Sequence, residues 1–300
     1  MDSVDATGDL SSVRGLSPEA LRRADALVRL LADDAPRIRR IARENLSAMG
    51  EPVLALVEER SRQAPDQSVR AAASVFLDEQ RRERVLALWE EAWRSGGLDL
   101  EGGVALIARS EFPSIGANAI GAALDGFADV LRRRIAAVRS NDALIERVNH
   151  LLFRELGFRG DRNHYYDPGN SYLNVVLERR RGIPVTLSAV YILVCRRLHI
   201  AVEGVGIPGH FLLRYRSGRK ARFLDAFNQG KELTYQDCVA FLEREGLPFR
   251  ELYLRKAEDR ETLTRMLGNL LRIYEHEKDE ARMERVNRML AAIPGSGLST

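Results

Sequence analysis

The run Val202-Glu-Gly-Val-Gly206-Ile-Pro-Gly-His210-Phe-Leu-Leu-Arg-Tyr-Arg216-Ser217-Gly218-Arg-Lys-Ala221-Arg-Phe-Leu-Asp225-Ala226 decides the fold. Ahead of it, apolar residues recur every three or four positions. Within it they form short β-favouring stretches separated by turn residues. Three strands are expected: Val202 to Gly206, His210 to Arg216 and Ala221 to Ala226, with a turn near Ser217-Gly218. His210 opens its strand after the backbone-rich turn Gly206-Ile-Pro208-Gly209, and Asp225 ends the next one. Two adjacent antiparallel strands would bring these side chains together. A carboxylate beside a histidine fixes the ring's tautomer, which is the orienting half of a catalytic triad. The same pair serves equally well as a purely structural clasp on a hairpin.

Working outward, Gly182-Ile183-Pro184 restarts a helix that carries Leu187, Val190, Tyr191, Val194 and Leu198. Proline in a first helical turn gives up no needed N–H and presets φ. Before it, the polar aromatic stretch Asn163 to Asn174 leads into a helix over Ser171 to Arg181, and an Asn141/Asp142 cap starts a helix running to Gly157. Val104 to Arg109 and Ile115 to Val138 have helical spacing, and Glu232 to Glu245 returns to helix. The first third is helical and repetitive, broken at Gly50-Glu51-Pro52 and Ala64-Pro65-Asp66. Ile38 and Val69, Arg39 and Arg70, and Ala42 and Ala73 share one offset. A buried aliphatic followed by Arg at such a period resembles HEAT-type helical hairpins. Near the end, Leu263, Asn269, Leu270, Tyr274, Ala281 and Pro294 follow the order of one tetratricopeptide unit, which would need a neighbour to cover its apolar face. The expected division is a leader over 1–17, HEAT-like repeats over 18–97, a central domain over 98–255 and a tetratricopeptide-like helical tail over 256–300.

Composition narrows the classes. The 46 basic and 43 acidic residues leave a net charge of +3, too little to argue for nucleic-acid binding. No apolar run is long enough for a bilayer span, and the start of the chain lacks the features of a secretory signal. The two cysteines, Cys195 and Cys238, form neither a disulfide framework nor a metal pattern. A cytoplasmic protein is expected. No phosphate loop, dinucleotide fingerprint or metal spacing is present, so neither cofactor nor metal is expected.

Among the five histidines, His150 and His276 read as surface or boundary residues, and His199 ends a helix where a cation suits the dipole. Asn170, Ser171 and Asn174 share one helical edge. With His164 they are candidates to line a ligand pocket beside His210; Asn170 or Asp167 could equally cap the helix.

The segments Tyr165-Tyr-Asp167-Pro, Asn170-Ser-Tyr-Leu-Asn174, Arg180-Arg-Gly-Ile-Pro184-Val-Thr-Leu-Ser188, Gly204-Val-Gly-Ile-Pro-Gly-His210-Phe-Leu, Leu224-Asp225-Ala-Phe and Arg265-Met-Leu-Gly-Asn-Leu270 together resemble the SirB-type transglutaminase-like family. The resemblance runs from about Leu100 to Pro294. It implies an α+β, mostly helical chain with a papain-like helix-plus-antiparallel-sheet core and a tetratricopeptide-like tail. In active relatives of that core, a Cys at a helix N-terminus attacks while a strand His and a following Asp assist. His210 and Asp225 match the latter two. Counting back about four turns from Leu198 places the helix tip at Pro184, which has no nucleophile. Cys195 lies at the negative end of that helix, where the dipole disfavours a thiolate, and Cys238 reads as core. Ser188, one turn beyond Pro184, is the tentative substitute, with Ser171 behind it; a serine depends far more than a thiol on a well-placed base. The resemblance therefore implies a module without the usual nucleophilic cysteine. It would bind a peptide or protein through the His210/Asp225 cleft and its helical repeats, with no nucleic-acid or membrane partner. The alternative is a hydrolase or acyl transferase using Ser188 with His210 and Asp225.

Overall fold

A computed structural model describes residues 17–295, so all but Ser17 of the expected leader lies outside the described residues. The chain divides into two compact units, the first ending at Arg84 and the second beginning at Val85.

The first unit is built from α1 (Pro18–Leu30), α2 (Pro36–Ala48), α3 (Glu51–Gln63) and the beginning of α4 (Gln67–Arg94). Each of α1, α2 and α3 carries a proline in its first turn, and the Ser17 hydroxyl accepts from the Ala20 N–H. Leu27, Leu31, Leu46, Leu56, Val57 and Phe76 form its core. The echoed positions do matching work. The Arg39 guanidinium donates to the carbonyls of Asp33 and Asp34, and that of Arg70 to the carbonyls of Ala64 and Pro65. Each arginine thus satisfies the loop that precedes its own helix. Ala42 and Ala73 are both fully buried, but Ile38, expected on the inner face, is 39% exposed. The buried stripe of α2 is only Ala42 and Leu46 wide.

The second unit contains the rest of α4 and then α5 (Leu100–Glu111), α6 (Ala119–Ile135), α7 (Asn141–Asn149) and α8 (Leu173–Arg179). It continues with α9 (Pro184–Arg197), α10 (Tyr235–Arg244), α11 (Asp259–Glu277) and α12 (Glu280–Ala292). The cap of α7 is Ser140, whose hydroxyl accepts from Ala143 N–H, rather than Asn141 or Asp142. That helix passes into a wider π turn over His150–Glu155 before Gly157. The expected helix from Ser171 to Arg181 is shorter. A 3-10 turn over Pro168–Ser171 precedes α8, and Arg180 ends α8 in the left-handed conformation with φ of 58°.

Two ribbons of strand complete the unit. β1 (Arg159–Gly160) pairs in parallel with β2 (Arg181–Gly182) just ahead of α9. β3 (Val202–Ile207), β4 (His210–Ser217), β5 (Lys220–Asp225) and β6 (Lys231–Leu233) form an antiparallel sheet in chain order. The fourth strand lies where helix was expected from Glu232. A Thr234–Asp237 capping box delays the helix to Tyr235, and Phe223 pairs with Leu233, Asp225 with Lys231. The fold is therefore α+β and mostly helical, as expected, with a fourth strand in the antiparallel sheet and the β1–β2 ribbon in addition. No helix among the described residues is long and apolar enough to cross a membrane.

Strand alternation sorts the sheet into two faces. Phe211, Leu213, Tyr215 and Leu224 join the main core with the apolar side of α9. A Cβ placed on Gly204 would meet the Phe211 ring at 2.8 Å and Ile192 of α9 at 3.4 Å, so this face admits α9 closely. Val205, Ile207, Leu212 and Phe223 face the other way, onto Cys238 of α10 and Leu254. On the main-core side, α11 and α12 pack against the remaining helices. Trp89 Nε1 donates to the Met289 carbonyl at 2.8 Å, and the Tyr172 and Tyr274 hydroxyls bond at 2.7 Å. Glu111 holds Arg282 and Arg285, which outweighs the effect of its burial and keeps its carboxyl below the usual range.

Contact between α5 and α11 depends on Gly103, where an added Cβ would stand 2.3 Å from Leu263 Cδ1 and 2.9 Å from its Cγ. Leu263 is fully buried and has no free direction to retreat. Gly103→Ala is expected to lower the unfolding free energy by about 1–3 kcal/mol, read from the urea midpoint. An unchanged midpoint would show that this contact is looser than described.

Candidate functional site

His210 and Asp225 meet where the two inner strands of the sheet begin and end, His210 opening β4 and Asp225 closing β5. Ile207 and His210 are paired across the Pro208-Gly209 turn, and Asp225 ends β5. His210 Nε2 lies 2.9 Å from Asp225 Oδ2, with both side chains largely buried. Two further donors hold the carboxylate. The Asn228 N–H donates to Oδ1 at 3.1 Å and its side-chain amide donates to Oδ2 at 2.6 Å. Burial alone would raise the Asp225 pKa, but the bonds from His210 and Asn228 outweigh it and hold the carboxyl below its ordinary 3.8. An ionised carboxylate only accepts, so Nε2 carries the proton and donates. The other ring nitrogen, Nδ1, has no hydrogen-bond partner among the described residues.

His210 lies two residues before Leu212, and Asp225 two after Phe223, so the couple points to the α10 face of the sheet. Its ring is tilted against Phe241 of α10 at 5.6 Å and meets Phe227 edge-on at 6.3 Å. Together these residues line a cavity of about 870 Å³ whose walls include Arg162, Lys231, Cys238 and Arg244. Arg162 donates to the Asn228 side-chain oxygen and lies over the Phe227 ring at 5.4 Å. Phe227 is itself held by the β1–β2 ribbon. Its carbonyl accepts from Gly160 N–H at 3.1 Å, and a Cβ on Gly160 would stand 2.5 Å from its ring.

The remaining candidates lie elsewhere. Ser188 is fully buried on α9, which packs on the opposite face of the sheet, and its hydroxyl has no hydrogen-bond partner among the described residues. Ser171 is also buried without a partner for its hydroxyl. Asn170 works as a brace: its amide donates to the His164 carbonyl at 2.7 Å, and its own carbonyl accepts from Thr186 Oγ1 at 2.8 Å. The His164 ring is exposed, with Nδ1 at 3.8 Å from Asp161 Oδ1. The Asn174 side-chain oxygen has no partner. None of these five lines the His210 cavity. The cap at Pro168 is Asp167, which accepts from Gly169 N–H. At the α9 tip, Pro184 follows an Ile183 N–H that donates to Thr186 Oγ1. Burial pushes the Cys195 thiol up far out of reach of ionisation, and pushes Cys238 up to about 11. Cys238, read as core from sequence, is both buried and part of the cavity wall. Asn228 escaped the sequence reading, although Asp225-Ala-Phe-Asn228 has the three-residue reach by which an aspartate commonly accepts from a later backbone N–H. No cluster among the described residues has the ligands to hold a metal ion.

A helix on one face of an antiparallel sheet, with a His–Asp couple on its two inner strands, is the core of a transglutaminase-like domain. A family model for the transglutaminase-like superfamily matches residues 118–268, about half of the chain, and the chain belongs to that superfamily. It is similar to a UPF0162 protein of Xylella fastidiosa, 36% identical over 196 residues that cover 63% of this chain and 70% of that one. A UPF0162 protein of Pseudomonas aeruginosa is 37% identical over 152 residues, 49% of this chain and 55% of that protein. F-box only protein 21 of Mus musculus is 32% identical over 151 residues, 48% of this chain and 24% of that one. No solved structure matches the chain.

Asp225→Ala leaves the imidazole and the Asn228 amide without their acceptor, and is expected to cost about 3 kcal/mol at pH 7. Because the folded carboxyl has the lower pKa, its contribution is fully present well above 3.8 and disappears as the pH falls below that value. Urea unfolding of both forms from pH 7 to pH 2.5 is expected to show the gap closing in that window. A gap independent of pH would contradict the assignment.

Proposed function

We propose that this chain is a binding module of the SirB-type branch of the transglutaminase-like superfamily, which holds a peptide or protein segment in the His210/Asp225 cavity without reacting with it. The observation that carries this reading is the unpartnered Nδ1 of His210: no hydroxyl or thiol stands within hydrogen-bond reach of the couple among the described residues. A general base must reach the proton it removes. The cavity's aromatic walls, Phe227 and Phe241, suit an apolar side chain, and Arg162, Lys231 and Arg244 suit the carbonyls and acids of a peptide. The helices over 18–97 act in this reading as HEAT-like repeats, and the hairpin over 256–300 as a tetratricopeptide-like unit. Both would contact the partner protein. The matched arginine loops of Arg39 and Arg70 support the repeat. Two unpaired, buried cysteines fit a protein that works in the cytoplasm.

Two measurements test this. Incubation with a fluorophosphonate and with iodoacetamide is expected to leave no adduct that depends on His210; labelling of Ser188 that disappears in His210→Ala would establish the acyl-transfer reading instead. On an array of random-sequence peptides, the folded chain is expected to retain a subset that Arg244→Gln and Phe241→Ala both weaken by about tenfold or more. Equal retention by all three proteins would remove the cavity from the account.

A further inference from the structure

The last two helices carry cations that the His210 cavity does not use. Arg260, Arg265, Gly268, Asn269 and Arg272 fall on one face of α11 and line a separate groove of about 360 Å³, bounded at one end by Pro294. Arg265 is half-buried, and its guanidinium finds only two long bonds, 3.4 Å to the Ile207 carbonyl and 3.5 Å to the His210 carbonyl. Arg260 donates to the Pro294 carbonyl at 3.2 Å. None of the three arginines has a carboxylate partner among the described residues. Glu261, the carboxylate in the groove wall, is engaged by both arms of Arg255. The Asn269 side chain has no hydrogen bond among the described residues, and at Gly268 nothing lies within 4 Å of where a Cβ would stand.

A half-buried charge without a counter-charge is costly, and carbonyls at such distances offset little of that cost. Burial lowers the Arg265 pKa, and nearby Arg272 lowers it further against the opposing effect of Tyr165. Three guanidinium groups around a bare-backbone floor present planar N–H forks, which match the oxygens of a carboxylate or a phosphate. We propose that this groove binds an oxyanion group of a ligand, with Arg265 as the central fork and Arg260 and Arg272 at its sides. The site is separate from the His210 cavity and does not depend on the reading of that cavity.

Calorimetric titration of the full chain tests it with two anions in separate arms, inorganic phosphate and N-acetylglycine at neutral pH, and with N-acetylglycinamide as the uncharged control. At least one anion is expected to bind saturably and the amide not at all; the arm that binds names the ligand class. Arg272→Gln, an exposed position, is expected to weaken binding by about tenfold with an unchanged melting temperature. Arg265→Lys keeps the charge, loses the fork and is expected to weaken it as well. His210→Ala is expected to bind as the unaltered chain does. Failure of both anions to bind, equal binding of the amide, or unaltered affinity in Arg272→Gln and Arg265→Lys would overturn the proposal.

Discussion

The two-residue period of β4 governs what this molecule can do. Phe211, Leu213 and Tyr215 go to the α9 side because that apolar helix must be covered, and His210 and Leu212 are thereby sent to the other. A slip of one residue would expose the first set and bury His210 against α9. The register that completes the core thus also sends the imidazole to the α10 face of the sheet, while Ser188 lies on α9 across the other face. Gly204 tightens the constraint, since only a glycine leaves room for Phe211 between the sheet and Ile192.

On its own side of the sheet, the couple is held from three directions. Asn228 donates twice to Asp225, the Gly230 N–H reaches the Asp225 carbonyl at 2.8 Å, and Phe227 is fixed by the β1–β2 ribbon. The bonds from His210 and Asn228 keep the carboxylate ionised despite burial, and the carboxylate in turn orients the ring, which a triad requires. Among the described residues no hydroxyl or thiol is hydrogen-bonded to the couple. Cys238 shares the cavity but is kept protonated by burial, with Asp237 beside it opposing ionisation further.

Much of this was legible in the sequence where a physical period was strong. Alternation between Val202 and Ala226 gave three strands and the His210–Asp225 neighbourhood, because apolar spacing and turn residues agreed. β6 was not legible: Lys231-Glu-Leu233 is too short and polar to show a period, and it exists only because β5 offers it an edge. Nor could spacing say which face of the sheet His210 takes, since that depends on what covers each face. α10 settles it through Cys238 and Phe241, one turn apart. The inner position expected for Ile38 failed for a related reason. Helical spacing marks apolar residues, but only a neighbouring helix makes them core. Of His164, Asn170, Ser171 and Asn174, Asn170 alone braces a loop, bonding His164 and Thr186, and none of the four is in the cavity wall.

The direct test of the central claim is the nitrogen-15 spectrum of the His210 ring, recorded in the unaltered chain and in Ser188→Ala. A proton fixed on Nε2 and an Nδ1 resonance indifferent to the serine are expected. An Nδ1 resonance that moves when Ser188 is removed, or a ring free to exchange tautomers, would contradict it.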